Sequence, residues 1–291
     1  FSCKENMATK ININGDIQDE GLISVLDHGF LFGDSIYEVV CTNKGNPCFL
    51  DEHLKRLYAS ASGISLKISH SPTEIKKQIQ ITLDSAKNNE SYIRIIVTRG
   101  VGDVDIDPSS CFNPNIIILV KEIPQISIES YEKGISVALV SIKRNSRDSL
   151  NPAVKTGNYL NNVLARIEAK RMGAEDAIMG NSMGQLTEGT TSNLFFVKEG
   201  RLLTPIKECG ILSGITREKI IQLANKNSIT LEEGKWPSEE LFKAEEIFLS
   251  GTVKKIIPVT VLDGRLVGKG IPGPITKKFM RLYSELLENL V

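Results

Sequence analysis

A lysine leads into Gly-Asn-Tyr at Lys155-Thr156-Gly157-Asn158-Tyr159, and an apolar, helix-compatible run through Leu160, Leu164, Ala165 and Ile167 follows. The spacing predicts Lys155 at the entry of a helix. Such an amine can join an aldehyde cofactor as a Schiff base; once a substrate amine displaces it, the freed amine can move protons at the substrate carbon. Most lysines are solvated surface residues, so the reading depends on what other residues supply. Gly214-Ile215-Thr216 opens another helix, with backbone N–H groups, a hydroxyl and a positive dipole end that together make a phosphate cradle. Ser250-Gly251-Thr252 adds a second hydroxyl and further amides. Arg56 supplies the positive charge that a phosphate dianion calls for. Glu188, before Gly189-Thr190-Thr191-Ser192, can hold a proton on a pyridine nitrogen so that the ring acts as an electron sink. Each has a plain alternative: Arg56 solvated on its helix, Thr216 a cap, Thr252 a turn residue, Glu188 a surface carboxylate. Together, five such groups describe an anion and pyridine site.

The elements that must position these groups follow from pattern. Lys10–Ile13 alternates and ends in Asn14-Gly15, a hairpin turn. Tyr37–Val40 is a strand, returned by a turn over Asn43–Asn46. Asp51 is expected as the N-cap of a helix whose Leu54, Leu57, Tyr58 and Ala61 form an apolar stripe, with Arg56 off its centre. Ser71-Pro72-Thr73 opens a second amphipathic helix. Tyr92–Arg99 alternates so that Tyr92, Arg94 and Ile96 share a face, a tyrosine and an arginine fit to grip a carboxylate. Gly100-Val101-Gly102 precedes no helix and is no dinucleotide fingerprint. Residues 1–123 form a small α+β domain, 124–129 a linker broken by Pro124, and 130–291 a larger β-rich domain that carries Lys155. In the latter, strands near 135–140, 176–179, 185–188, 193–197, 201–204 and 245–250 alternate with helices after Tyr159, after Gly214 and from Pro274. The fold class is α+β.

At 291 residues the chain suits two domains. Lys+Arg and Asp+Glu both number 35, leaving no charge that points to nucleic acid or an anionic membrane. The apolar runs are strand-sized, so no membrane span is expected. Five scattered cysteines without C-x-x-C, and three distant histidines, give no metal site and suit reduced thiols in the cytoplasm. The residues before Met7 read as foreign to the native chain.

The ordered set Asp27–Asp34, His53-Leu54-Lys55-Arg56-Leu57, Lys155–Leu160, Leu186–Gly189 with Ser192–Phe195, Gly214–Arg217 and Ser250–Thr252 resembles the class IV, fold-type IV pyridoxal-phosphate enzymes from about Ile11 onward. That group holds branched-chain aminotransferases, D-amino-acid aminotransferases and aminodeoxychorismate lyases. The resemblance implies two domains with pyridoxal 5'-phosphate at their interface. It also implies a homodimer or higher homo-oligomer whose neighbour lends the Gly100–Pro108 loop. It assigns the Schiff base to Lys155, the pyridine nitrogen to Glu188, the ring's phenolic oxygen to Tyr159, and the phosphate to Arg56, Ile215, Thr216 and Thr252. Substrate contacts are assigned to Tyr37, Tyr92, Arg94 and Val253. Many branched-chain members carry one more glycine in Lys-x-Gly-Gly-Asn-Tyr than Lys155–Tyr159 does.

The expected reaction is ping-pong transamination between an amino acid and a keto acid. Tyr92-Ile93-Arg94 and Gly100–Pro108 resemble branched-chain enzymes, whereas Tyr37–Val40, Arg56–Ala61 and Glu188–Asn193 resemble D-amino-acid aminotransferases. The arginine and histidine that the D-specific enzymes carry after Gly100 are replaced here by Asp103, Asp105 and Asp107. The favoured substrates are therefore a branched-chain L-amino acid and 2-oxoglutarate, with a D-amino-acid aminotransferase or an aminodeoxychorismate lyase as alternatives.

Overall fold

The computed structural model describes residues 9–290, so the segment before Met7 lies outside the described residues. The chain forms two compact units, one made of the chain up to Pro124 with Val154–Asn158, the other of Gln125–Ala153 with Tyr159–Leu290.

In the first unit, β1 (Lys10–Ile13) and β2 (Asp16–Gln18) are followed by α1 (His28–Leu31), β3 (Ser35–Asn43), β4 (Asn46–Pro47), α2 (Leu50–Gly63), α3 (Pro72–Ala86), β5 (Ser91–Thr98) and β6 (Ile116–Glu122). The strands make one antiparallel sheet in the order β2-β1-β6-β5-β3-β4. The β1–β2 hairpin turns on Asn14 and Gly15 (φ 53° and 99°) and the β3–β4 hairpin on Lys44 and Gly45 (φ 50° and 76°). Both are pairs with two positive φ values, which match the twist of the flanking strands. Ile36, Val40, Ile93, Ile95, Val97, Ile118 and Val120 pack against Leu54, Leu57 and Ala61 of α2 and Ile75 and Ile79 of α3. The expected N-cap Asp51 lies instead in the first turn of α2, whose N-cap is Phe49 in the left-handed region. Ser71 caps α3 as expected, in a reciprocal capping box with Glu74.

The second unit runs α4 (Ile128–Glu132), β7 (Ile135–Leu139), α5 (Leu160–Arg171), β8 (Asp176–Gly180), β9 (Leu186–Gly189), β10 (Asn193–Lys198), β11 (Arg201–Pro205), α6 (Ile215–Lys226), β12 (Leu231–Gly234), β13 (Glu246–Gly251), β14 (Lys255–Leu262), β15 (Arg265–Leu266) and α7 (Pro274–Glu288). Strands β10, β13, β14, β7, β8 and β9 pair in a ring that closes where Glu188 of β9 meets Asn193 of β10. Closure leaves those strands without a free edge. The 176–204 region is the antiparallel hairpin set expected, but β7 lies parallel to both β8 and β14. Ala138, Ala177 and Met179 pack on Ala165 and Ala169 of α5, and Phe248 stacks between Phe195 and Phe279 of α7.

Two expectations about boundaries change. The linker at 124–129 runs into α4, because the Ser127 hydroxyl caps its first turn and Ile126 and Tyr131 pack on the second unit's core. The Lys155 segment, expected at a helix entry in the second domain, is extended and packs with the first unit. The opening of β3 leaves an edge that it fills: Thr156 pairs with Ile36, Tyr37 N–H donates to Lys155 O at 3.0 Å, and Gly157 N–H donates to Ser35 O at 2.8 Å. Helix α5 starts only at Leu160.

Candidate active site

The first unit holds the lysine. Its backbone is pinned on both sides, accepting from Tyr37 N–H and donating to the Ser60 hydroxyl at 3.1 Å. Asn158 donates to Gly33 O at 3.0 Å. Gly157 is required by close approach, since a Cβ there would lie 2.2 Å from Ser35 Oγ. The Lys155 Nζ sits 3.3 Å from the Tyr37 hydroxyl and 4.3 Å from that ring's centroid. The Arg94 guanidinium lies 3.9 Å from the same centroid and donates to the Tyr92 hydroxyl at 3.5 Å. The predicted face of Tyr92, Arg94 and Ile96 is the half-buried side of β5, while Ile93, Ile95 and Val97 fill the core. Lys155, Tyr37, Tyr92 and Arg94 thus form one chain of contacts.

Arg56 belongs to a cluster on α2. Its Nε and Nη2 donate to the two oxygens of Glu38 at 2.6 and 2.8 Å, and His53 Nδ1 donates to Glu38 at 2.8 Å. Glu38 is fully buried. Burial pushes its carboxyl up, but the Arg56 hydrogen bonds and charge and the His53 hydrogen bond outweigh this and hold it at about 2. Burial pulls the His53 imidazole below its usual range against the raising effect of Glu38, with the Arg56 and Lys155 charges adding to the fall. A neutral imidazole facing an ionised carboxylate must carry its proton on Nδ1. Sequence reasoning missed Glu38 and His53, although one signal existed. A glutamate between Ile36 and Val40 on a core-facing strand row needs a cation, and His53 and Arg56 stand three apart on the next helix.

The second unit holds the carboxylate and the amide cradle. Glu188 is buried and accepts from Arg144 Nε at 2.9 Å, Asn193 Nδ2 at 3.1 Å and Leu212 N–H at 3.0 Å. Asn193 also donates to Leu212 O at 2.9 Å, tying the closing pair of the barrel to the segment before α6. A Cβ on Gly214 would lie 1.9 Å from Asn193 Oδ1, so glycine is the residue that lets this segment approach. Gly214 is the N-cap of α6 and no side chain caps the first turn, where Ile215 and Thr216 are buried. Thr252 and Val253 lie half-buried in the three-residue turn joining β13 to β14, and Tyr159 is the N-cap residue of α5.

Asp176 fastens two of these turns. Its buried carboxylate accepts from Thr190 Oγ1 at 2.6 Å, Arg166 Nη1 at 3.0 Å and Lys254 Nζ. Burial raises the carboxyl, and the Lys254 charge and hydrogen bond, with Thr190 and Arg166, overcome it and hold it below the usual range. Thr190 is two residues from Glu188 and Lys254 two from Thr252. No sequence pattern marks Arg144 or Asp176, whose partners Glu188 and Lys254 lie 44 and 78 residues away; Asn193 stands inside the Ser192–Phe195 motif, which by itself gives it no role.

This donor set fits a phosphorylated pyridine. The uncapped start of α6 can receive an anion, the buried Ser192 and Ser250 hydroxyls beside Glu188 and Thr252 in sequence have no hydrogen-bond partner, and Glu188 offers an acceptor. Among the described residues no cluster of His, Cys, Asp and Glu suits a metal ion.

The model of the amino-transferase class IV family matches residues 35–262. The chain belongs to the class IV amino-transferases. Within the family it is similar to the putative branched-chain-amino-acid aminotransferase of Methanocaldococcus jannaschii, 39% identical over 282 residues, which cover 95% of this chain and 96% of the relative. It is also similar to the D-alanine aminotransferase of Bacillus licheniformis, 33% identical over 270 residues, covering 92% and 93%. The branched-chain amino acid aminotransferase of Escherichia coli superposes with a TM-score of 0.92 at 30% identity, over 96% of this chain and 95% of the other. A second branched-chain amino acid aminotransferase, solved in complex with N-(5'-phosphopyridoxyl)-L-glutamate, does so at 0.89 and 29%, over 96% and 94%. The α+β, fold-type IV architecture expected from the resemblance is the one observed.

Proposed function

We propose that this class IV aminotransferase uses pyridoxal 5'-phosphate to move an amino group between a branched-chain L-amino acid and 2-oxoglutarate, in two half-reactions that share Lys155. When bound, the cofactor supplies an aldehyde and an electron-withdrawing ring. Lys155 would hold the cofactor through its amine and, once a substrate amine has displaced it, would take and return the proton at the substrate Cα. Glu188, paired with Arg144, holds a proton at the pyridine nitrogen. Arg56, fixed by Glu38, takes the phosphate with Ile215, Thr216 and Thr252, and Tyr159 meets the phenolic oxygen. Tyr37, Tyr92, Arg94 and Val253 receive the substrate.

The observation that carries the substrate class is Arg94, a half-buried cation that contacts Tyr37, the neighbour of Lys155, and has no carboxylate partner among the described residues. A pocket for apolar amino acids that must also admit 2-oxoglutarate calls for such a group. The similar branched-chain enzyme solved with a phosphopyridoxyl-glutamate adduct supports it. The D-alanine aminotransferase relative keeps a D-amino-acid reading second. A half-reaction panel decides between them: cofactor-loaded protein is mixed with single L- and D-amino acids and its absorbance followed. Conversion by L-leucine and L-glutamate but not by D-alanine is expected, and the reverse order refutes the proposal.

A homodimer is part of the same reading. The 22–32 and 100–112 segments are joined by His28 N–H donating to Gly100 O at 2.9 Å, and they expose Leu22, Val25, Phe30, Val104, Ile106 (82%) and Phe112 (81%). An apolar surface of this kind suits a second copy. The free thiols Cys41, Cys48, Cys111 and Cys209 suit a reducing compartment such as the cytoplasm.

A further inference from the structure

Among the described residues, five arginines are buried or half-buried, and four of them meet a carboxylate. Arg56 meets Glu38, Arg99 meets Asp34, Arg144 meets Glu188 and Arg217 meets Glu233. Arg94 is the exception, and what it meets is an aromatic ring. The β3–β5 register pairs Tyr37 with Ile96 and Val39 with Arg94, which makes Tyr37 and Arg94 diagonal neighbours on one sheet face. The guanidinium centre lies 3.9 Å from the ring centroid, a stacking distance. A guanidinium held over a ring face has less freedom to reorient, and its N–H groups other than the Nη1 that donates to Tyr92 are left to meet a carboxylate. The same tyrosine reaches Lys155 with its hydroxyl, at 3.3 Å from Nζ.

We propose that Tyr37 is a positioning residue with two separable jobs: its ring presents the edge of Arg94 to a second carboxylate on the substrate, and its hydroxyl holds the Lys155 amine. This rests on the reading above that Arg94 takes a substrate carboxylate. Without the ring, a long, flexible arginine side chain samples many rotamers, and the order that a bidentate carboxylate needs must be restored on binding. Apolar side chains make no demand on that edge. The ring's hold on Arg94 therefore favours diacids over branched-chain monoacids, and the hydroxyl acts on the lysine whichever substrate is present.

The two jobs separate by substitution. Binding of the unreactive diacid glutarate and the unreactive monoacid 4-methylpentanoate to the cofactor-loaded protein is measured by calorimetry, and the half-reactions with L-glutamate and L-leucine are timed. Tyr37→Leu is expected to weaken glutarate by about 3- to 30-fold more than it weakens 4-methylpentanoate, the range of one cation–π contact. Tyr37→Phe, which keeps the ring, is expected to hold glutarate within about twofold and to lower kcat for both amino acids with little change in KM. Arg94→Lys, at a half-buried position outside the core, keeps the charge and loses the plane, and repeats the glutarate test if the leucine variant does not fold. Equal weakening of both acids by Tyr37→Leu, or an undiminished glutarate affinity in both Tyr37→Leu and Arg94→Lys, overturns the platform. Arg94→Met reports on the underlying reading: if it leaves glutarate binding unchanged, Arg94 is not the carboxylate receiver, whatever the tyrosine variants do.

Discussion

Replacing Glu38 by glutamine removes the one charge that holds Arg56 and His53 together inside the first unit. The Glu38 side chain is fully buried and that of Arg56 is 13% exposed, so solvent replaces little of what is lost. Breaking a buried pair from one side costs about 3–5 kcal/mol, because the remaining charge stays desolvated. Titration gives a second estimate. The carboxyl falls from 4.5 to about 2 on folding, and at about 1.4 kcal/mol per pH unit this amounts to about 3–4 kcal/mol. Because the folded value is the depressed one, this stabilisation is complete above pH 4.5 and drains away as pH falls toward 2. Unfolding by urea, followed by circular dichroism at about pH 7, 5, 4 and 3, should therefore show wild type about 3–5 kcal/mol above Glu38→Gln at neutral pH. The gap should narrow steadily below about pH 4.5. His53 adds a separate slope. Its imidazole is held below 6.5 in the fold, so the unfolded chain binds the extra proton and stability falls as pH drops through 6.5. A gap under about 1 kcal/mol at neutral pH, or one that stays constant down to about pH 3, would falsify the claim that Glu38 is the ionised centre of this cluster. Loss of the phosphate anchor should accompany it, seen as at least a roughly tenfold weaker uptake of pyridoxal phosphate by the apoprotein.

Two further substitutions test the second unit. Gly214→Ala places a methyl 1.9 Å from Asn193 Oδ1, so Asn193 must leave Glu188 and Leu212; a loss of about 1–3 kcal/mol and weaker cofactor retention are expected, and an unchanged melting temperature would refute the packing argument. Lys254→Met leaves the buried Asp176 with only the half-exposed Arg166 as a cation. The Asp176 carboxyl is depressed in the fold from its usual 3.8, so the variant should lose about 2–4 kcal/mol at neutral pH and show a shallower acid loss below that value; a wild-type acid profile would sink it.

How far the site could be read from the chain depended on how local each interaction is. Lys155, Gly157 and the Gly214 helix start lie within a few residues of what defines them, and their order along the chain carried the family. Arg56 was visible, but what orients it was not, because Glu38 lies a strand and a turn away and a charge inside an apolar strand can be answered by any of several cations. Arg144 and Glu188 are 44 residues apart, and Asp176 and Lys254 are 78 apart. Nothing in periodicity links them, since the lateral order of the strands, β14 beside β7, β7 beside β8 and β8 beside β9, makes them neighbours. The unit to which the Lys155 segment belongs is hidden in the chain for a related reason. The run after Lys155 has helical spacing, yet the open edge of β3 offers Thr156 and Gly157 backbone partners that a helix would have to forgo.

That same edge explains why the lysine and its supports occupy the places they do. Successive residues of a strand point to opposite faces, so Tyr37 and Glu38, one after the other on β3, serve different tasks. Tyr37 turns to the half-buried side, where Arg94 and Lys155 are, and Glu38 turns to the helix side, where His53 and Arg56 are. A slip of β3 by one residue would exchange the two, burying a tyrosine hydroxyl against α2 and pointing a carboxylate at the amine and at Arg94. That carboxylate would neutralise the receiver for an acidic substrate and favour the ammonium form of the lysine, the protonation state that cannot take a proton. The register is fixed on one side by seven consecutive pairs with β5 from Ser35–Thr98 to Cys41–Tyr92. On the other it is fixed by the Ile36–Thr156 pairing, which locks the lysine to the same frame. The hydrogen bonds that set the strand's register therefore also set which charges the amine meets.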